Sequence, residues 1–262
     1  MDTIENTPAI RNPRSHLLPG QTPKRRAMEK LTMVLVWIYE WHTTVSPLIT
    51  ALLGTTETTY LRELEKKGYI TSFRAPSLLC GRAYMLTRDG VNAAASVLGK
   101  ELRYSVHPSS VSHSLLKHNL SAQRFAIEAR RQGLKAVPCR DSTPINGKIP
   151  DAFIEVQSSR FAIEIELSRK WDSELEQALN GHISAISRGD WAGVIYVSNS
   201  ATLLKGYEER LELPIPDWWQ STSHGPKLWM RGDPQVVEDE MRAKFRWRHM
   251  PDLLKDFEQV KL

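Results

Sequence analysis

Long apolar runs are missing from this chain: none of its 262 residues falls in a stretch approaching the roughly 18 that a membrane span needs. Cysteine is scarce too. Cys80 and Cys139 are far apart, with no Cys or His at zinc-ligand spacing, which excludes structural zinc and a disulfide framework and predicts a reduced, cytoplasmic setting. No Gly-x-x-x-x-Gly-Lys-Ser/Thr loop is present, which excludes phosphate-loop ATP hydrolysis. No Gly-x-Ser-x-Gly elbow and no His-hydrophobe-His cluster occurs either. The opening "MDTIENTPAIRNPRSHLLPG" lacks a basic segment followed by an apolar one. It is therefore expected to be a mobile arm (residues 1–23) rather than a secretory leader.

What is present fits a soluble globular protein of one large or two ordinary domains, 41% hydrophobic and 25% charged. The net charge of +5 is unevenly placed. Residues 1–107 carry 14 Lys+Arg against 9 Asp+Glu, whereas residues 108–262 carry 21 against 21. The whole basic excess therefore lies in the first half, as a phosphate-binding module would have it.

Residues 24–107 read as a helical module with a ribbon. "KRRAMEKLTMVLVWIYEWH" sets Met28, Leu31, Leu35 and Ile38 at helical spacing. A short helix in "TTVSPLITALLG" stops at Gly54, and a third in "TTETTYLRELEKKGYI" turns Leu61 and Leu64 inward and stops at Gly68. Strand, loop and strand follow in "YITSFRAPSLLCGRAYMLT", then a helix in "TRDGVNAAASVLG". Three helices and a two-stranded wing are the order of a winged helix-turn-helix, whose third helix enters the DNA major groove. The expected DNA-contacting residues are Thr56, Thr58, Thr59, Tyr60, Arg62 and Lys66 on that helix, with Arg74 and Arg82 on the wing. The competing readings are a solvated helix face and a protein-contact module.

Residues 108–262 alternate between helix and strand, which predicts a mixed-sheet α/β domain with a C-terminal extension, and hence an α+β or α/β protein overall. A long helix is expected from about Ser112 to Gln132, a strand from Leu134 to Arg140, and a turn at "DSTPINGK". The tail segment "MRAKFRWRHM" reads either as a surface for stacking a nucleic-acid strand or as a solvated helix with two buried aromatics. In "KIPDAFIEVQSSRFAIEIELSRK" two strands pair across Ser158-Ser159, with Gln157 facing Arg160. Ala152, Ile154, Val156, Phe161, Ile163 and Ile165 then share an apolar face, and Asp151 meets Glu166 on the other face, close to Glu164. Carboxylates so close need a neutralising cation, and hard oxygen ligands suit Mg²⁺ or Mn²⁺. Asp151, Glu164 and Glu166 are the expected metal ligands; the competing reading is a half-exposed strand face with solvated glutamates.

The order helix, strand, Pro-Asp, hairpin, Glu-x-(Glu/Lys) resembles the PD-(D/E)xK core of restriction endonucleases. More narrowly, "HSLLKHNL", "PDAFIEV", "FAIEIELSRK" and "WAGVIYVSN" resemble the replication-relaxation family, which includes MobC-type relaxases of mobilizable plasmids, over roughly residues 25–200. The resemblance implies a winged helix followed by a restriction-endonuclease-like domain. It also implies metal-dependent nicking of DNA at a plasmid origin of transfer, relaxosome accessory or coupling proteins as partners, and leaves oligomerisation open. Asp151 takes the Pro-Asp position, Glu164 the first acid of the second strand, and Glu166 the place where many such nucleases have Lys. Lys170 is the expected substitute and Glu128 the accessory acid, which completes the catalytic set. His113 or His118 could serve in catalysis, against a capping or core role. The alternative is a plasmid replication or transcription regulator whose nuclease core is degenerate.

Overall fold

The computed structural model describes residues 22–56, 59–101, 103–139, 149–221 and 228–254. Helix α1 (Pro23–Trp41) starts where Thr22 Oγ1 accepts the Arg25 N–H at 3.2 Å, with Pro23 in the first turn, where its missing N–H costs nothing. Its inner face carries Val34, Leu35, Trp37, Ile38 and Trp41, while Met28, at the helix's outer end, stays 57% exposed instead of joining the core. Helix α2 (Ser46–Leu53) ends at Gly54, whose φ of 61° only glycine adopts without strain. Helix α3 (Tyr60–Lys66) buries Leu61 and Leu64, and strands β1 (Ile70–Arg74) and β2 (Arg82–Leu86) form an antiparallel ribbon. Helix α4 (Arg88–Leu98) is capped by Thr87 Oγ1 on the Gly90 N–H.

The second half is built on a five-stranded mixed sheet. Helix α5 (His113–Arg131) leads into β3 (Lys135–Pro138), β4 (Ala152–Val156) and β5 (Ser159–Ile165). Then come α6 (Asp172–Arg188), β6 (Gly193–Ser198) and α7 (Ala201–Glu212). A separate ribbon, β7 (Ile215–Ser221) with β8 (Leu228–Gln235), precedes α8 (Asp239–Arg242) and β9 (Phe245–His249). The sheet order is β3-β4-β5-β6-β9; the first three strands are antiparallel, and β6 and β9 are added parallel. The turn expected at residues 141–148 lies outside the described residues, as do the arm 1–21 and residues 255–262.

Side chains alternate across the sheet, and both of its faces are buried. Ala152, Ile154, Ile163, Ile165 and Val197 join one core with α1, α2 and α5; Phe153, Ala162, Val194, Tyr196 and Phe245 join a second core with α6 and α7. The first core is continuous from Val34 in α1 to Leu254.

Two expectations are corrected here. Val156 pairs with Ser159 and Ala152 with Ile163, so the turn is Gln157-Ser158, with Gln157 at φ 54°. A two-residue loop with positive φ matches the twist of the strands. The expected pairing was therefore two residues out of register. A slip of two keeps every side chain on its expected face but changes every partner, so Asp151 does not face Glu166. The tail segment "FRWRH" is an edge strand, not a solvated helix: Phe245 is buried, and Phe245 and Trp247 both stack on Tyr196.

Candidate functional site

The three hairpin acids come out at one end of the sheet, where β4 begins and β5 ends. Each has its own partner. Asp151 lies just before β4 and turns its carboxylate along the sheet end, where Oδ2 accepts the Ile165 N–H at 2.7 Å. The same oxygen is 3.3 Å from Nε2 of His118 on α5, which also donates to the Ile165 carbonyl at 2.9 Å. Of the two histidines weighed, His118 is therefore at the acid, while His113 meets the ring of Phe73 edge-on.

Burial alone would disfavour the imidazolium of His118. The hydrogen bond and charge of Asp151, with the Ile165 carbonyl, outweigh it and raise the pKa above 6.5. A raised folded value means that this contribution to stability is complete below pH 6.5 and is lost as pH rises through the folded pKa. NMR titration of the His118 ring is expected to give a midpoint above 6.5, and Asp151→Asn should lower it. A midpoint unchanged in the variant would separate the two residues.

Glu164 points into the second core beside Tyr196, its neighbour across β5 and β6. Only 3% of it is exposed, and Oε1 lies 3.1 Å from Nε2 of His182, which is completely buried. The rings of Trp191 and Tyr196 close over that imidazole edge-on, and the Tyr196 hydroxyl finds no hydrogen-bond partner among the described residues. Glu166, also buried, is paired with the Lys170 ammonium and accepts the Tyr207 hydroxyl at 3.4 Å. The Lys170 N–H in turn donates to that hydroxyl at 3.2 Å. Lys170 lies in the loop before α6, two residues ahead of Asp172.

A divalent ion needs several oxygens converging on one point. Among the described residues, no three His, Cys, Asp or Glu side chains are grouped to hold one. Two of the acids are matched to histidines and the third to a lysine, so the set does not fit the Mg²⁺ or Mn²⁺ expected from the sequence.

Glu128 is ten residues beyond His118 on α5, about 15 Å along the axis at 1.5 Å per residue. It accepts a hydrogen bond from Gln132 and lines a different cleft. Sequence reasoning missed His182 and Tyr207. Both sit in apolar helical stripes, Leu175-Leu179-His182-Ile186 and Leu204-Tyr207-Leu211. A polar residue in such a stripe opposite a strand acid is the signal that could have found them.

Asp151 also opens onto a cavity of about 260 Å³ that Glu40, Trp41, His42, Asn119 and Cys139 share. Burial raises the pKa of Glu40, against the nearby charge of Arg130. His42 closes the end of α1 with a φ of 70°, and the next N–H, of Thr43, reaches back to the Trp41 carbonyl at 2.9 Å in a γ-turn.

A second arrangement forms in the first half. Arg74 and Arg82 are directly opposite each other across the β1–β2 ribbon. With Arg62 of α3 they line a cleft of about 580 Å³, together with Ser72, Phe73 and Cys80. None of the three makes an ion pair among the described residues, and no acid lines the cleft. Glu65 of α3 holds the ribbon in place by accepting both the N–H and the hydroxyl of Ser72, at 2.9 and 2.6 Å. Thr56, Thr59 and Lys66 are exposed on the same segment and Tyr60 is half-buried, whereas Thr58 lies outside the described residues.

No described helix is long and apolar enough to cross a membrane. Comparison with known proteins adds no relative: no family model, no curated protein and no solved structure matches the chain.

Proposed function

We propose that this protein binds duplex DNA through α3 and the β1–β2 ribbon, used as the recognition helix and wing of a winged helix. On this reading the sheet domain is a nuclease-like body without a nuclease centre, as in a plasmid replication or transcription regulator. One observation carries the reading: Arg74 faces Arg82 with Arg62 beside them in an acid-free cleft. Like charges directly opposite on a ribbon are destabilising, and an anion between them removes the cost. A phosphodiester suits the guanidinium fork, which can grip two of its oxygens at once.

The second reading is a metal-dependent relaxase that nicks a plasmid origin of transfer within a relaxosome. In its favour, Asp151 with His118 and Glu166 with Lys170 lie at the same end of the sheet, so acid, base and cation flank one edge. Against it, Mg²⁺ or Mn²⁺ would have to displace the pairs these acids already make.

Supercoiled plasmid carrying candidate origins, incubated with the full chain and either ion, distinguishes the two. The expected result is retarded plasmid without open circles. Ion-dependent open circles, lost in Asp151→Asn, would establish the relaxase instead. In the same binding assay, replacing Arg62, Arg74 and Arg82 together by Gln should weaken binding and reduce the slope of log affinity against log salt by about 2.7, or 0.9 per phosphate contact. An unchanged slope would remove the proposed interface.

A further inference from the structure

We propose a second phosphate-binding site, in a cleft of about 360 Å³ between α2, α5 and the end of β9. The proposal rests on the DNA-binding reading and extends it: the ligand is the sugar-phosphate backbone of the same nucleic acid. Its origin is the alternation of the edge strand. Phe245 and Trp247 turn to Tyr196 and the second core, so Arg246 and Arg248 turn the other way. Arg248 pairs in register with Val197, whose side chain belongs to the first core, and it reaches the cleft beside α5. From the helix, Arg124 and Arg131 are seven residues apart, two turns on one face, and line the same cleft. The basic-aromatic tail is thus divided by the strand: its rings pack inward while one of its arginines joins two from α5.

The site is held in shape before any ligand arrives. Arg131 donates to the Ala51 carbonyl of α2 at 2.9 Å, and Glu128 is occupied by Gln132 at 3.1 Å and Arg131 at 3.8 Å. Arg248 is exposed and makes no ion pair among the described residues. Three guanidinium groups against the carboxylates of Glu128 and Asp252 leave one positive charge, 3 − 2, in the lining. That balance suits a singly charged phosphodiester better than a multiply charged free phosphate. Leu48 and Ala51 border the cleft from α2, the helix that precedes α3 in the chain.

The test measures duplex DNA affinity over a range of salt for three full-length proteins. These are the wild type, the Arg124→Gln/Arg248→Gln double variant, and the triple variant at Arg62, Arg74 and Arg82; circular dichroism confirms that each is folded. The double variant is expected to lose about 1.8 from the salt slope, two contacts at 0.9 each. A wild-type slope in the double variant, with a reduced slope in the triple variant, overturns this site and leaves the DNA-binding reading standing. No salt-dependent binding by the wild type overturns both. A parallel arm adds inorganic phosphate without DNA. Phosphate binding that the double variant abolishes while its DNA slope stays at the wild-type value would assign the cleft to free phosphate and overturn the backbone assignment.

Discussion

Replacing His182 by leucine should destabilise the protein by about 3–5 kcal/mol, because it takes the imidazole away from the buried Glu164 carboxylate at the second core. The cost comes from desolvation more than from a lost attraction. Glu164 is 3% exposed, so its carboxylate has little access to water to replace the imidazole. The pair as a whole need not be stabilising. Replacing both partners together, His182→Leu with Glu164→Met, should recover most of the loss, since two apolar groups of similar volume remove both desolvation costs. Urea midpoints of the two single variants and the double variant form the cycle that measures this coupling. A His182→Leu unfolding free energy within about 0.5 kcal/mol of wild type, the ordinary range for surface substitutions, would mean that the pair is not buried as described. The same cycle bears on function. A metal-ligand role for Glu164 predicts that Glu164→Ala abolishes chemistry in a protein of normal stability, whereas a core role predicts that stability falls first.

The element boundaries were legible because local chemistry sets them. Gly54 stops α2 because the chain there takes φ 61°, and Gly68, at φ 77°, follows α3 in the same way. The strand faces were legible as well, since Ala152, Ile154, Ile163 and Ile165 alternate with Phe153, Ala162 and Glu164. The hairpin partners were not. Hydrophobic pattern repeats every two residues and cannot distinguish a turn at Ser158-Ser159 from one at Gln157-Ser158; the positive φ of Gln157 decides it. The site failed at the same point. Three acids were assigned to one face, but nothing in the hairpin states what covers that face. Helix α6 brings His182 from sixteen residues beyond Glu166, and α7 brings Tyr207 from farther still. For "FRWRH" the difficulty was length, because five residues carry too little pattern to separate a strand from a helical turn.

A buried amide ties α1 and the segment after it to α5, and removing it should have the second large effect. Gln123 of α5 is completely buried. Its Oε1 accepts the Trp37 indole N–H of α1 at 2.9 Å, and its Nε2 donates to the Thr43 carbonyl at 2.8 Å. Gln123→Leu keeps the volume but strands a donor and an acceptor in the first core. At about 1–3 kcal/mol for each unsatisfied group, the expected loss is about 2–6 kcal/mol. Gln123→Glu should be no remedy, because a carboxylate can accept from Trp37 but cannot donate to Thr43 and adds a buried charge. Adding Trp37→Phe to Gln123→Leu removes the stranded donor, and any recovery beyond the cost of the smaller ring measures that half of the loss. The consequence extends to the β1–β2 ribbon. Thr44, next to the anchored carbonyl, exchanges both of its backbone hydrogen bonds with Tyr84 of β2 at 2.9 Å. A loosened Thr43 therefore loosens the ribbon that carries Arg82. Urea denaturation followed by tryptophan fluorescence gives the stability, and amide exchange at Thr44 and Tyr84 reports the ribbon. Exchange at those two amides that rises no more than the global loss of stability requires would show that Gln123 supports the core without positioning the ribbon.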